Sequence, residues 1–272
     1  MVIFLYQLLI GLLLSGSIAF LAYLLNLLTL SGMIASILLG SLVIAMGPWY
    51  AIILIGLLFG TSAIISFLKQ AFHKNEQSQI IEKGSQRDQQ QVLANTLPAF
   101  FALLFYAVTK DIIFLIAFVS SLAGATADTW ASEVGMLSAK PPRSILTLKP
   151  LLNGQSGAIS LLGTAASIIG SFLVAASFFL FLSMSHGFQL PPWEFLLIPF
   201  LVGISGSVID SFLGATIQAL YRCVVCKQLT EKEVHHQQAT NLVKGYQWAN
   251  NDMINFLTGL LTVFLSLFLT IL

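Results

Sequence analysis

A long apolar stretch of the chain ends in two acidic side chains, and these raise the question of what chemistry they serve. The segment GATADTWASEVG at positions 124–135 contains Asp128 and Glu133, and Asp210 and Asp252 stand in two further apolar segments. A carboxylate inside a membrane-spanning segment costs roughly 2.5 to 3.5 kcal/mol on insertion scales and usually marks a functional position. Hard cations such as Mg²⁺ prefer oxygen ligands, commonly carboxylates together with substrate phosphates. The four acidic residues therefore predict a catalytic magnesium site.

The composition is that of a protein that lies in a lipid bilayer. Hydrophobic residues make up 57% of the 272 positions and charged residues only 8%, which is typical of polytopic membrane proteins. The formal net charge of +1 excludes a strongly basic protein that binds nucleic acid polymers. We expect a multi-pass integral membrane protein, located in the cytoplasmic membrane if the source is bacterial.

Eight apolar segments could cross the membrane as helices. A hydrocarbon core about 30 Å thick needs roughly 20 apolar residues per helix, and only helices satisfy their own backbone groups in such a sequence. The sequence therefore predicts an all-α fold, a single membrane domain over residues 1–272 with seven or eight transmembrane helices. The segments lie near residues 3–25, 31–47, 50–68, 91–109, 112–136, 156–184, 193–220 and 250–272. Polar loops are expected near 69–90, 137–155 and 221–249.

The positive charges predict which side of the membrane each loop faces. Of the twelve Lys and Arg residues, only Lys110 falls on one side of the predicted bundle, and the other eleven fall in the three polar loops. Cytoplasmic loops carry the excess of Lys and Arg, so these loops are predicted to be cytoplasmic. The four carboxylates, with Asp88 before the fourth helix, then gather near the cytoplasmic ends of their helices. This shared depth favours one active site on the cytoplasmic side.

Basic and small polar residues near the predicted site would suit phosphate groups. The segment SAKPPRSILTLKPLLNGQSG at 138–157 contains three cations and no acid. Its last five residues predict a glycine-bearing turn that opens the sixth helix, and free N–H groups at a helix N-terminus bind anions. Asp88 has two interpretations, the N-cap of the fourth helix or a catalytic residue that positions Arg87 or a metal-bound water. The predicted substrate and phosphate contacts are Arg87, Lys140, Arg143, Lys149, Asn153, Gly154, Ser156, Asn251 and Asn95.

Two pairs of short matching segments suggest an internal duplication. SGMIASILLG at 31–40 is similar to SGAISLLG at 156–163, and QVLAN at 91–95 to QWANN at 247–251. If both matches join equivalent positions, helices one to four repeat as helices five to eight in the same orientation, as in some transporters. A second pattern, Gly-x3-Asp followed by Thr or Ser, occurs at 124–129 and 206–211.

The last polar loop contains four residues that could ligate zinc. In RCVVCKQLTEKEVHH, Cys223 and Cys226 form a C-x2-C pair, and His235 and His236 follow. Such a set could form a small tetrahedral zinc site. Two adjacent histidines are an unusual geometry, however, so two free cytosolic thiols are the alternative.

These segments together resemble one family of integral membrane proteins long catalogued as a domain of unknown function. The family includes the phytyl-phosphate kinases of plants and cyanobacteria and the transmembrane-protein-19-like proteins of animals. The resemblance extends over almost the whole chain and is most specific in DTWASE and the following NGxSG. It is carried by LTLSG at 28–32, EKGSQRDQQQVLAN at 82–95, GATADTWASEVG at 124–135, NGQSGAISLLGT at 153–164, the RCVVC-to-HH loop, and WANNDMINF at 248–256.

The resemblance implies a CTP-dependent kinase that converts an isoprenyl monophosphate, such as phytyl phosphate, into the diphosphate. The expected partners are then a membrane lipid and a nucleoside triphosphate, and the expected cofactor is Mg²⁺. The resemblance also favours zinc, with His235 and His236 in the remaining ligand positions. Family members tend to have Gly-Gly where Gly154 and Gln155 stand here, so the turn departs slightly from the family.

Other functions remain open on the sequence alone. A secondary transporter of a small anionic or lipid-like substrate would also place acidic residues in its helices and could contain a parallel repeat. Transporter sites lie near the middle of the membrane, however, whereas these carboxylates lie toward one face. A different lipid enzyme is a further alternative, although the paired acidic signatures of membrane prenyltransferases and CDP-alcohol transferases are absent from the sequence.

Overall fold

Eight helices form a membrane bundle in the part of the chain that the structure describes, as the sequence predicts. The computed structural model describes residues 2–72 and 86–272 of the chain, so Lys74 and Lys83 of the predicted 69–90 loop lie outside the described residues. Seven of the described helices are long and apolar enough to cross a membrane, and the second is shorter, with 17 residues. The helices are α1 (Val2–Leu24), α2 (Leu30–Met46), α3 (Ala51–Phe72), α4 (Gln89–Thr109), α5 (Ile112–Gly135), α6 (Leu161–Ser185), α7 (Glu194–Thr216) and α8 (Asn251–Ile271).

The polar loops contain short strands that the sequence analysis did not predict. All are two to four residues long and form three small antiparallel sheets, ordered β1-β2, β4-β3-β7 and β5-β6. Two predicted helix ends were wrong because strands occupy these residues. Helix α7 ends at Thr216 rather than near 220, and α6 begins at Leu161 rather than at 156. The strands are β1 (Arg143–Ser144), β2 (Ala158–Ile159), β3 (Leu220–Arg222), β4 (Leu229–Thr230), β5 (Val234–His235), β6 (Gln238–Ala239) and β7 (Asn241–Lys244).

Short polar side chains start five of the described helices, because the first N–H groups of a helix need acceptors. At the start of α5, Asp111 accepts a hydrogen bond from the backbone N–H of Ile113. Thr29, Asp88, Ser160 and Asn250 each accept a hydrogen bond from the backbone N–H three residues later. Asp88 forms a complete capping box with Gln91. This agrees with its interpretation as the N-cap of the fourth helix.

Helix α5 lies at the centre of the bundle. It packs against α3, α4, α6, α7 and α8, and residues 115–124 are buried without interruption. By contrast, α1 packs mainly on α2 through small residues, where a Cβ on Gly11 would lie 2.8 Å from the Ser41 backbone. Close helix contact through small residues is typical of membrane proteins. The carboxylates of α5 are therefore positioned by five neighbouring helices.

The sequence matches that suggested an internal repeat do not join equivalent positions. Gln91 lies in the first turn of α4, whereas Gln247 lies three residues before the N-cap of α8. Ser31 lies in the first turn of α2, whereas Ser156 precedes the N-cap of α6 by four residues. These two matches therefore do not support an internal repeat. The repeat remains an untested prediction.

Candidate functional site

Two glycines allow a close contact between α5 and α7. A Cβ added to Gly206 would lie 2.8 Å from the Cα atom of Gly124, a distance that real Cβ atoms essentially never show. Four residues further along each helix, about one turn, stand Asp128 and Asp210. The Gly-x3-Asp pattern shared by the two helices thus places two carboxyl groups side by side.

The carboxyl groups of Asp128 and Asp210 lie close enough to interact directly. Helix α8 adds Thr258, whose Oγ1 donates a hydrogen bond to Asp210 Oδ2 at 3.2 Å. Both carboxylates face a small cleft among four helices. Its lining consists of Asn95, Ala125, Asp128, Asp210, Asn255, Thr258 and Gly259.

The cleft lies near one end of the bundle rather than at its middle. Asn95, Asp128, Asp210 and Thr258 stand six or seven residues from the ends of their helices on this side. At 1.5 Å per residue, this depth is about 10 Å. The three long polar connections of the chain leave the bundle at the same end. A soluble substrate could reach these side chains without crossing the hydrocarbon core.

The donor set of the cleft fits a hard divalent cation. Two adjacent carboxylates repel each other unless a cation or a shared proton lies between them. The other polar side chains, Asn95, Asn255 and Thr258, offer amide and hydroxyl oxygens, the ligand type that Mg²⁺ prefers. Asp128 and Asp210 are therefore the residues of this structure best placed to hold such an ion.

The other two predicted metal ligands occupy different surroundings. Asp252 is buried in the first turn of α8, on the same face as Asn255 and about one turn nearer the helix end. Glu133 lies close enough to Arg87 for its charge to raise the pKa of that guanidinium, whose burial has the larger and opposite effect. Neither residue lines the cleft as described. Their role as metal ligands remains a prediction.

Arg87 points into the protein rather than outward. Its Nη2 donates to Ser62 Oγ at 2.5 Å, and its guanidinium lies 5.0 Å from the ring centre of Phe59 on α3. Its backbone pairs with Leu28 in the α1–α2 connection. A Cβ on Gly32, in the first turn of α2, would lie 2.2 Å from the Arg87 carbonyl oxygen. Arg87 thus joins three parts of the chain near Glu133.

The predicted phosphate contacts of the α5–α6 loop lie mostly on its surface. Lys140, Arg143, Lys149 and Asn153 are exposed, and Arg143 donates to the carbonyl oxygen of Leu148 at 3.3 Å. On α4 and α8, Asn95 Nδ2 donates to the Gln91 carbonyl oxygen at 2.9 Å, and Asn251 is the first residue of its helix.

The prediction that the NGQSG turn opens α6 is wrong. Ser160 is the N-cap of α6, and β2 separates it from the turn. Gly154 and Gly157 have φ values of 79° and 80°, a conformation that glycine adopts most readily, and a Cβ on Gly157 would lie 2.4 Å from that of Ala215. The turn therefore packs against the C-terminal end of α7, so the N-terminus of α6 is not its anion site.

The sequence alone did not identify two residues of these surroundings, the acidic Glu231 and the hydroxyl-bearing Thr258. Ser156 Oγ donates to the carboxylate of Glu231, which belongs to the α7–α8 segment. Thr258 is the second, and its signal was present because it stands three residues after Asn255, on the same face of α8. Glu231 had no comparable signal, since its partner is 75 residues away in the chain.

The four predicted zinc ligands lie together. The ligand atoms of Cys223, Cys226, His235 and His236 are all within 4.8 Å of one another. Partial desolvation raises the pKa of the Cys223 thiol, but hydrogen bonds from the Cys226 backbone, His235 and the Val225 backbone outweigh it and lower the pKa to about 7. Lowering the pKa of a thiol favours the thiolate, the form that binds metals.

The bundle and its cleft define a polytopic membrane protein with a carboxylate site at one end. The chain belongs to the family described as integral membrane protein DUF92, whose model matches residues 13–263.

Similar proteins occur in plants and archaea. Over 143 residues, 51% of this chain and 49% of the relative, it is 35% identical to Protein PGR of Arabidopsis thaliana. It is 38% identical to an uncharacterised membrane protein of Methanocaldococcus jannaschii over 48% of this chain and 52% of that protein. It is 28% identical to Protein VTE6, chloroplastic, of Arabidopsis thaliana over 53% of this chain and 34% of that protein. The matches thus span about half or less of these relatives, and no solved structure matches the chain.

Proposed function

We propose that the protein is a membrane kinase that transfers a phosphate from CTP, or another nucleoside triphosphate, to an isoprenyl monophosphate. The observation that carries the proposal is the Asp128–Asp210 pair in a cleft about 10 Å from the polar end of the bundle. A lipid phosphate would enter the cleft from the headgroup level at this end of the bundle, with its apolar tail among the helices. The triphosphate would approach from the loop side, which the positive charges predict to be cytoplasmic.

The residues of the cleft could perform the electrostatic part of such a reaction. Phosphoryl transfer depends mainly on positioning and on neutralising charge, and it requires no protein nucleophile. Mg²⁺ held by Asp128 and Asp210 would supply that neutralisation when bound. Thr258 would orient Asp210 through its hydrogen bond. The exposed Lys140, Arg143 and Lys149 would attract the nucleotide phosphates at the rim.

The choice of reaction rests on the family rather than on the geometry. The segments GATADTWASEVG and NGQSGAISLLGT, which resemble those of phytyl-phosphate kinases, supply Asp128 and the turn beside α7 in this structure. The cleft contributes the argument for a divalent cation and a phosphate. The two lines agree on a phosphoryl transfer at the same end of the bundle.

The test is phosphoryl transfer by the full chain in detergent. Labelled CTP, ATP, GTP and UTP are each supplied with Mg²⁺ and a panel of isoprenyl monophosphates, and the lipid product is separated. We expect diphosphate from the wild type and a loss of at least 100-fold in Asp128→Asn, because removing a charge that acts at the transferred phosphate typically costs several kcal/mol. Asp111→Asn is the matched control, since Asp111 is an exposed N-cap of the same helix α5 at its other end.

Two results would count against the kinase. Equal turnover by wild type and Asp128→Asn would remove this residue from the reaction. No diphosphate from monodisperse wild type with any pair of substrates would favour transport, which substrate uptake into proteoliposomes would then measure.

A further inference from the structure

The polar segment between α7 and α8 contains a second cluster of metal-binding side chains, separate from the carboxylate cleft. Cys223 and Cys226 lie on the turn between β3 and β4, and His235 and His236 lie on the β5–β6 hairpin. Zn–S and Zn–N distances of about 2.3 and 2.0 Å place the ligand atoms of a tetrahedral site about 3.3 to 3.8 Å apart. Cys226 Sγ and His235 Nδ1 are 3.7 Å apart, as such a site requires.

The backbone explains how two adjacent histidines reach one point. β5 and β6 pair through His235 and Gln238, which leaves His236 and Gln237 as a two-residue turn. Both turn residues have positive φ, 53° and 61°, the combination that defines a type I′ hairpin turn. Consecutive side chains of a regular strand would point to opposite faces, but this turn rotates His236 back toward His235. Their ring centres are 4.2 Å apart.

The backbone also positions the two cysteines of the cluster. The backbone N–H groups of Val225 and Cys226 point at Cys223 Sγ, with N···S distances of 3.3 and 3.5 Å. Lys227, which follows the pair, has a φ of 62°, so the chain reverses at this point. Donors aimed at a sulfur atom stabilise its thiolate form, the form that ligates zinc.

We propose that these four residues bind one structural Zn²⁺ ion. Two thiolates and two imidazoles complete a tetrahedral set, and a complete protein set is typical of structural rather than catalytic zinc. Cys223 is fully buried, Cys226 and His235 are half-buried and His236 is exposed, so the site lies at the surface of the segment. This inference does not depend on the proposed kinase reaction.

The position of the site indicates what the ion would hold. Tyr221 in β3 donates to Glu233 Oε1 at 3.3 Å, and Ser156 donates to Glu231, so the residues around the cluster reach the α5–α6 loop. Lys244 in β7 donates to the carbonyl oxygens of Gly214 and Ala215 at the end of α7. The ion would therefore fix a segment that packs on the helix carrying Asp210.

The first test measures the metal content of the full chain purified in detergent without chelator. Elemental analysis is expected to find about one zinc per chain in the wild type, and an occupancy at least fivefold lower in Cys226→Ser and in His236→Ala. The matched control is His186→Ala at the opposite end of the bundle, which should retain the wild-type zinc content. Size-exclusion chromatography checks that every variant remains monodisperse.

A second measurement does not depend on variants. Zinc removed by a chelator is replaced by Co²⁺, and the visible spectrum of a tetrahedral site with thiolate ligands is expected, with thiol reagents reacting only after the metal is removed. The proposal would be overturned if monodisperse wild type held no zinc after incubation with Zn²⁺. It would also be overturned by a Cys223–Cys226 disulfide in freshly purified protein, or by a Co²⁺ spectrum without thiolate bands.

Discussion

At the scale of single residues, the carboxylate pair depends on a hydrogen bond that the sequence analysis overlooked. Thr258 Oγ1 donates to Asp210 Oδ2 at 3.2 Å and would fix the direction of that carboxylate. Thr258 thus acts through Asp210 and is a positioning residue.

Thr258→Val is expected to lower turnover by about tenfold or more, because a hydrogen bond to a charged group is worth about 1.5 kcal/mol or more. Valine keeps the shape of threonine, so the helix packing should remain. The control is Thr262→Val, one turn further along α8, whose hydroxyl donates to the Gly259 carbonyl oxygen of its own helix. Turnover and the Mg²⁺ concentration dependence are measured for both, and equal values for the two variants would remove this role from Thr258.

A second test at this scale decides whether Asp88 is only the N-cap of α4 or also a catalytic residue. Asp88→Ala should lower the stability of the protein by about 1 kcal/mol because the cap is lost, whereas Asp88→Ser should restore both stability and turnover. Thermal unfolding in detergent and the kinase assay provide the two readings. A stable Asp88→Ser protein without turnover would show instead that the carboxylate takes part in the reaction.

Some of these site residues could be predicted from the sequence and others could not, for a physical reason. Asp128 and Asp210 were recognisable because a charge is costly in an apolar helix, whatever its partner. The pairing of Ser156 with Glu231 was not, because it depends on how two polar loops fold against each other. A helix carries its own signal, whereas a contact between loops does not.

At the scale of the elements, the crossing of α5 and α7 decides the geometry of the cleft. Gly124 and Gly206 allow the helices to approach, and the aspartates one turn away then meet. The shared Gly-x3-Asp pattern was visible in the sequence, but its meaning required knowing that these two helices are neighbours. The helices themselves were predictable from hydropathy, while the short strands were too small to leave a pattern in the sequence.

Gly206→Ala tests this crossing directly. The new methyl group would lie 2.8 Å from Gly124 Cα and 3.0 Å from Thr262 Cγ2, so the helices must move apart. Overpacking of this kind typically costs about 1 to 3 kcal/mol, and turnover should fall at least tenfold as the carboxylates separate. Gly60→Ala on α3 is the control, because a Cβ there meets nothing within 4 Å. The same loss in both variants would assign the effect to glycine itself rather than to the crossing.

At the scale of the whole molecule, the prediction concerns which end faces the cytoplasm. Cysteine introduced at the exposed Lys140 should react with a membrane-impermeant maleimide only from the cytoplasmic side, because the loops rich in Lys and Arg remain there. Cysteine at Leu190, 74% exposed in the α6–α7 connection, should react only from the opposite side. Mass spectrometry of labelled peptides from intact cells and inverted vesicles separates the two, and labelling of both positions from one side would contradict the topology.

The central position of α5 also has a consequence for how the protein is made. Chains enter the membrane in order of synthesis, so α5 is inserted before α6, α7 and α8 exist to cover it. During that interval Asp128 has no Asp210 beside it, and it is tolerated because it stands close to the helix end, where a charge can reach water. The cleft is therefore completed only when the last helix, with Thr258, joins the bundle, and a truncated chain would contain half a site.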